Sequence, residues 1–181
     1  MDNKSIKLRK SIRLADFDYS WAGYYFVTVV SDQHKSIFGK IDDGKVELFP
    51  AGTIVEEIWN EIPLHFPYVE TDAHNMMPNH FHGIIIIQDI VGDIVEARHA
   101  SPLQVNFNIK PQPLGTVVGS FKSAVTKRVH DSGLYLKEKI WQRNYHEHII
   151  RDEIDYQKVQ EYIEANPINW SLDEENTELR K

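Results

Sequence analysis

The segment MPNHFHGIIIIQ at residues 77–88 carries the pattern from which the rest of the fold can be predicted. A Met-Pro-Asn turn leads into a run of isoleucines that ends at a polar residue. An apolar run of this kind is typical of a strand in the interior of a sheet. His80 and His82 are two residues apart, so on a strand both side chains lie on one face while Phe81 points into the core. The segment therefore predicts a central strand with two imidazoles on one side.

Alternating and helical patterns on both sides of this strand predict the other elements. Asp-Asp-Gly at 42–44 is suited to a tight hairpin turn, and prolines stand at both ends of the first amphipathic segment. The predicted order is a strand at 23–31, a hairpin at 36–49, a helix at 50–63, strands at 68–76 and 80–88, a helix at 114–130, a strand at 141–150 and a helix at 152–166. This order predicts an α+β fold, a ferredoxin-like antiparallel sheet with its two main helices packed on one face and the other face free for a partner.

The length of the chain and its lack of cysteine limit the classes of protein it can belong to. The 181 residues are enough for one domain, which we expect at 21–170 with a long loop at 89–113. A basic arm at 1–20 and an acidic tail at 171–181 flank it. With no cysteine there is neither a disulfide framework nor a thiolate metal site. No apolar run is long enough for a membrane span and no secretory signal is evident, so we expect a cytoplasmic protein.

The charge is unevenly distributed along the chain. Twenty Lys and Arg against 27 Asp and Glu give a net charge of -7, which argues against a polyanionic partner. Residues 4–15 contain only basic charges, and residues 114–151 are locally basic as well, while acids dominate 42–72 and the tail. One face could therefore be positive, although a solvated surface of mixed charge would give the same pattern.

Two pairs of side chains have spacings that suit chemistry. On a strand, His80 and His82 have Cα atoms about 6.6 Å apart, close enough for both imidazoles to bind one ion. On the last predicted helix, Tyr162 and Asn166 are four residues apart and share a face. Each pair also has an ordinary structural explanation: hydrogen-bonded core histidines, a tyrosine at the edge of the core, and an asparagine at a helix end before proline.

Four blocks of sequence together resemble a known family. They are MPNHFH at 77–82, LGTVVGSFKS at 114–123, WQRNYHEHIIR at 141–151 and YIEANP at 162–167. Their residues and their order resemble the HUH single-tyrosine transposases, in particular the branch of REP-associated tyrosine transposases. The resemblance covers residues 20–170. It implies an HUH endonuclease-like fold, usually a homodimer, that cleaves and rejoins single-stranded DNA near DNA hairpins.

The resemblance also implies roles for individual residues. His80 and His82 match the histidines that hold a divalent metal, Mg²⁺ or Mn²⁺, and Tyr162 matches the nucleophile that forms a 5'-phosphotyrosine. Asn166 falls where insertion-sequence members carry a glutamine as third metal ligand, and its side chain is one methylene shorter. Tyr145, beside two histidines, is the rival nucleophile. Trp141 is a candidate for stacking on unpaired bases. The candidates for phosphate contacts are Lys122, Lys127, Arg128, Arg143 and Arg151.

Two other functions remain open from the sequence. The first is a domesticated protein that binds DNA hairpins without cleaving them. The second is an unrelated metal hydrolase that uses His80, His82 and a third ligand such as His148 or Glu147, and that forms no covalent bond to its substrate.

Overall fold

The computed structural model describes residues 22–89, 113–134 and 138–176. Its main sheet has four antiparallel strands in the order β4-β5-β1-β6, and a separate two-stranded hairpin is formed by β2 and β3. The elements are β1 Gly23–Val30, β2 Gly39–Asp42, β3 Lys45–Leu48, α1 Pro50–His65, β4 Val69–Met76, β5 His80–Ile87, α2 Leu114–Asp131, β6 His146–Ile150 and α3 Glu153–Ala165. The predicted α+β class and ferredoxin-like strand order are confirmed.

Strand β5 lies inside the sheet, as its isoleucine run predicts. It pairs with β1 along its whole length and with β4 on its other side. In the β1 register, Val30 is opposite His80 and Thr28 is opposite His82. Since side chains alternate along a strand, these four residues lie on one face of the sheet.

Helices α1 and α2 cover the other face and form the main core with it. Trp59 of α1 packs on Phe81 with ring centroids 4.6 Å apart and on Phe121 of α2 at 5.6 Å. Gly83 leaves room for this tryptophan, because a Cβ at that position would come within 2.5 Å of the indole ring. The expectation that the two main helices share a face is confirmed.

Helix α3 packs on the face that carries the histidines, so this face is not free as we expected. Val159 and Ile163 of the helix form a second buried cluster with Ile84 and Ile150 of the sheet. The physical reason is that both faces of β5 are apolar beyond His82, and an exposed isoleucine face would be costly. Asp152 begins the helix by accepting a hydrogen bond from the backbone N–H of Asp155 at 2.8 Å.

Three predicted boundaries can be compared with the structure. The hairpin turn is as expected, with positive φ angles of 46° at Asp43 and 69° at Gly44. Helix α1 continues past Pro63 to His65, and its last turn is closed by the N–H of Phe66, which donates to the carbonyl of Ile62.

The predicted strand at 141–150 is regular only from His146. Trp141 forms an isolated bridge with Ser31. The carbonyls of Gln142, Arg143 and Asn144 instead accept hydrogen bonds from the Lys122 ammonium, at 2.7, 3.2 and 3.2 Å.

The expected basic arm at 1–20 and residues 90–112 of the expected long loop lie outside the described residues. Of the expected acidic tail, residues 171–176 are described and are in contact with the domain, as shown below. No helix in the described ranges has the length and apolar character needed to span a membrane.

Candidate metal centre and tyrosine site

The two histidines of β5 converge in the buried interior. Their Nε2 atoms lie 2.8 Å apart, and the residues are 0% and 2% exposed. This is the convergence that their spacing on a strand predicts. Both rings are enclosed by aromatic side chains, with Phe26 stacked on His82 at 5.3 Å and Trp170 at 6.0 Å from His80.

Polar neighbours orient both rings through their Nδ1 atoms. Asn79 directs its Nδ2 to the carbonyls of Glu175 at 2.7 Å and His34 at 3.3 Å, which leaves its Oδ1 facing His80. The Nδ1–H of His80 therefore donates to that oxygen at 2.8 Å, and its Nε2 carries a lone pair toward His82. His82 Nδ1 lies 2.8 Å from the Thr28 hydroxyl, which can donate or accept. Such partners fix the ring orientation of metal-binding histidines in proteins.

Burial keeps both rings neutral. It lowers the pKa of His82 well below its ordinary value of 6.5, and the adjacent His80 lowers it further. Burial lowers the pKa of His80 to about 4, although the carboxylate of Asp173 opposes the shift. Since a metal binds the neutral imidazole, neither ring has to lose a proton first at neutral pH.

Tyr162 and Asn166 reach the histidines from α3. The Tyr162 hydroxyl lies 3.4 Å from His82 Nε2, and Asn166 Nδ2 lies at the same distance from that atom. Tyr162 is 47% exposed, so its ring is accessible to a substrate, whereas Asn166 is buried. The structure therefore brings together all four residues that the sequence places at the site.

A third potential metal ligand, the carboxylate of Asp173, was missed by the sequence reasoning. Its Oδ2 lies 3.9 Å from His80 Nε2, and its side chain is 4% exposed. Ligand atoms of His80, His82 and Asp173 all lie within 4.8 Å of one another. Asp173 belongs to a run of acids near the end of the chain, which is typical of a solvated tail, and no local signal in that run separates it from its neighbours.

The donor set fits a divalent cation. Two neutral imidazoles and one carboxylate are ligands that Mn²⁺ accepts, and carboxylate is the usual protein ligand of Mg²⁺. Asn166 Oδ1 is also buried without a hydrogen-bond partner in the described part of the chain. A buried carbonyl oxygen in that condition is costly unless a cation or another donor satisfies it.

The surroundings of Tyr162 disfavour its ionised form. Burial raises the pKa of the Tyr162 hydroxyl, and the carboxylates of Asp173, Glu174 and Glu175 raise it further, against a side-chain hydrogen bond from Asn166. A bound cation would reverse the sign of the local field, because its charge is the largest in such a site.

The alternative site residues lie elsewhere. Tyr145 packs against the core under α1 and α2, on the face opposite the histidines. His148 Nε2 is 2.9 Å from Asp155. Neither His148 nor Glu147 belongs to the group of potential metal ligands found among the described residues.

Trp141 does not offer a surface for base stacking. It is 3% exposed and packs on Phe38 with ring centroids 4.7 Å apart. Its indole belongs to the main core, so the expectation of base stacking at this residue is wrong.

The five basic candidates for phosphate contacts are in different environments. Three of them are on α2, which covers the face opposite the histidines: Lys122 binds the backbone carbonyls before β6, Lys127 pairs with Asp131, and Arg128 forms a two-pronged pair with Glu61 at 2.9 Å. Arg143 and Arg151 are exposed and lie before and after β6.

The fold described above is shared with a solved protein. A solved structure of a REP-associated tyrosine transposase bound to a REP hairpin has the same fold, with a TM-score of 0.55 and 20% sequence identity. The match covers 84% of this chain and 70% of that one. The fold that the four sequence blocks indicate, that of the HUH tyrosine transposases, is confirmed.

A protein with a similar sequence shows a family to which the chain belongs. An uncharacterized protein of Haemophilus influenzae is 38% identical over 178 residues, which is 95% of each chain. The chain belongs to one family with this protein. No family model matches the sequence.

Proposed function

We propose that the protein is a transposase-like enzyme that nicks and rejoins single-stranded DNA near hairpins, with Tyr162 as nucleophile. One observation carries the proposal: the Tyr162 hydroxyl and the Nε2 atoms of both histidines meet in a single cluster. The Tyr162 hydroxyl lies 3.4 Å from His82 Nε2, and that atom lies 2.8 Å from His80 Nε2. These residues come from α3 and from the centre of the sheet, 80 residues apart in sequence.

His80 and His82, with Asn166 beside them, would hold a Mg²⁺ or Mn²⁺ ion. When bound, the ion supplies positive charge that polarises the phosphoryl oxygens and favours the ionised tyrosine. Asn79 and Thr28 keep the imidazoles in position through their Nδ1 atoms. The buried histidines and α3 restrict water on one side of Tyr162, while its exposed side remains open to a DNA strand.

The reaction exchanges one phosphodiester for another. The Tyr162 Oη loses its proton and attacks the phosphorus, the bond from phosphorus to the 3' oxygen breaks, and that oxygen takes up a proton and leaves as a 3'-hydroxyl. The product is a 5'-phosphotyrosine. Attack of a 3'-hydroxyl on this bond reverses the step and rejoins the strand. Because the linkage energy is conserved, rejoining requires no nucleotide cofactor.

The DNA partner is proposed on two grounds. The solved neighbour with this fold is bound to a REP hairpin. Exposed basic side chains flank β6, one of the two edge strands of the main sheet.

We further propose that the protein acts as a homodimer in the cytoplasm, as the family resemblance and the absence of cysteine suggest.

A covalent-adduct assay tests the proposal. The full chain is incubated with Mn²⁺ and hairpin oligonucleotides whose single-stranded flanks are randomised, labelled at either the 3' or the 5' end. A 5'-phosphotyrosine predicts that the 3' label migrates with the protein in a denaturing gel and that the 5' label appears in a shortened free strand. Tyr162→Phe should abolish the adduct.

Tyr156→Phe is the matched control, since it makes the same change on the same helix at a phenol that donates to Asp72. Adducts that persist in Tyr162→Phe would exclude this nucleophile. Cleavage by the wild-type chain without any adduct would favour a metal hydrolase. Binding of the hairpin without cleavage would favour a domesticated hairpin-binding protein.

A further inference from the structure

The segment after α3 folds back over the histidines. A short 3-10 helix at Trp170–Leu172 is followed by Asp173, and Trp170 packs near the ring of His80 with centroids 6.0 Å apart. Asn176, 4% exposed, donates to the Trp170 carbonyl at 2.9 Å. Residues 170–176, named here the C-terminal strap, are therefore a folded part of the site although their composition resembles that of a solvated tail.

Two contacts join the strap to the residue before β5 and to the segment after β1. Asn79 Nδ2 donates to the Glu175 carbonyl at 2.7 Å, and Glu175 Oε2 lies 3.1 Å from His34 Nδ1. The same asparagine accepts a hydrogen bond from His80. One side chain thus positions both an imidazole and the strap.

The two oxygens of Asp173 have different surroundings. Oδ1 accepts a hydrogen bond from the backbone N–H of Glu175 at 2.6 Å, which fixes the carboxylate. Oδ2 is directed toward the histidines, 3.9 Å from His80 Nε2. At metal–ligand bond lengths of about 2.1 Å, ligand atoms in octahedral coordination are about 3.0 Å apart when adjacent and about 4.2 Å when opposite. His80 Nε2 lies 2.8 Å from His82 Nε2, which is close to the distance between adjacent ligands. It lies 3.9 Å from Asp173 Oδ2, which is close to the distance between opposite ligands.

We propose that Asp173 is a direct carboxylate ligand of a divalent-metal site formed with His80 and His82, and that the C-terminal strap holds it there. This inference rests on the metal-dependent function proposed above and assigns the strongest oxygen ligand to the strap instead of to α3. Asn166 directs its Nδ2 to His82 at 3.4 Å, so its amide would have to turn over before Oδ1 faced an ion beside that ring. A carboxylate also contributes a negative charge that an amide oxygen lacks.

Metal titration without DNA tests the assignment. Mn²⁺ binding to the full chain is measured by calorimetry and by the broadening of the Mn²⁺ electron paramagnetic resonance signal. Replacing groups that only orient a ligand typically costs about 10–100-fold in metal affinity, so loss of the ligand itself in Asp173→Asn should weaken binding by at least about 10-fold. Glu164→Gln, the same change from carboxylate to amide at an exposed acid outside the strap, should leave the affinity within about twofold of wild type, as usual for a surface substitution.

A second measurement separates ligand loss from misfolding. Wild-type protein and Glu164→Gln should unfold at a higher temperature when Mn²⁺ is added, and Asp173→Asn should unfold cooperatively with a smaller increase. The inference is wrong if Asp173→Asn binds Mn²⁺ like wild type, if only Asn166→Ala weakens binding, or if the wild-type chain binds no Mn²⁺. These outcomes are independent of Tyr162→Phe, which should bind Mn²⁺ normally even if the proposed cleavage does not occur.

Discussion

The two faces of strand β5 serve different purposes although their residues alternate one by one. On one face, Phe81 packs with Trp59 and Phe121 in the main core. On the other face, His80 and His82 are equally buried but bonded to polar neighbours. The same strand therefore contributes both to the main core and to the candidate metal site, separated only by the two-residue repeat of the backbone.

This arrangement makes the site rigid and its register unambiguous. A shift of one residue between β5 and its neighbours would bury Phe81 among polar groups and place imidazoles against Trp59. The aromatic face thereby fixes the position of the histidines, because their displacement would cost the packing energy of the core. Substitutions on the aromatic face should consequently lower the free energy of unfolding, and substitutions on the histidine face should mainly weaken metal binding.

Phe81→Ala should have the largest effect on stability. Removal of a fully buried aromatic side chain typically costs about 3–5 kcal/mol in the free energy of unfolding, and Phe81 is 0% exposed. Urea denaturation followed by circular dichroism measures the loss. Ile86→Ala, on the other face of the same strand and only partly buried, should cost less. A smaller loss for Phe81 than for Ile86 would contradict the assignment of the main core to the face under α1 and α2.

Thr28→Val should mainly affect metal binding. Valine has nearly the same shape but cannot bond to Nδ1 of His82, which lies 2.8 Å from the threonine hydroxyl. Loss of such an orienting partner is expected to weaken Mn²⁺ binding by about 10–100-fold, measured by calorimetry. Thr28→Ser keeps the hydroxyl and should restore most of the affinity. Equal affinities for the valine and serine variants would show that the hydroxyl does not orient His82.

The sequence predicts most of β5 and its partners because the signals there are local. The apolar run within 80–88 and the turn at 42–44 depend on neighbouring residues, and both agree with the structure. Asp173 illustrates the opposite case, since its role depends on a chain reversal after α3 that brings it to His80. The break before His146 also arises at long range, from the ammonium of Lys122 on α2. Nothing in the local sequence encodes either contact.

The helix over the histidine face shows the same limit. Val159 and Ile163 have helical spacing, which predicts that α3 has a buried side. The spacing does not indicate which face of the sheet it covers. That choice depends on the apolar residues beyond His82 on β5, and it is what brings Tyr162 to the two histidines.

The smallest expected effect concerns the binding of DNA by exposed basic residues. Two double variants that each remove two positive charges allow two surfaces to be compared. The double variant Arg143→Gln/Arg151→Gln removes two exposed cations that flank β6, and Lys127→Gln/Arg128→Gln removes two cations from α2. The second pair already contacts Asp131 and Glu61, and it lies on the helix that covers the aromatic face. We therefore expect the β6 pair to contribute more to binding of single-stranded DNA.

Fluorescence anisotropy with a hairpin oligonucleotide at several salt concentrations measures both variants. Each phosphate contact that is lost should reduce the slope of log affinity against log salt by about 0.7–1, so the β6 variant should show a decrease of up to about 2. The α2 variant should keep a slope near that of wild type. Because both variants change the net charge by the same amount, a general electrostatic effect would lower the two slopes equally. A larger decrease for the α2 variant would instead place the DNA on the aromatic side of the sheet, away from Tyr162.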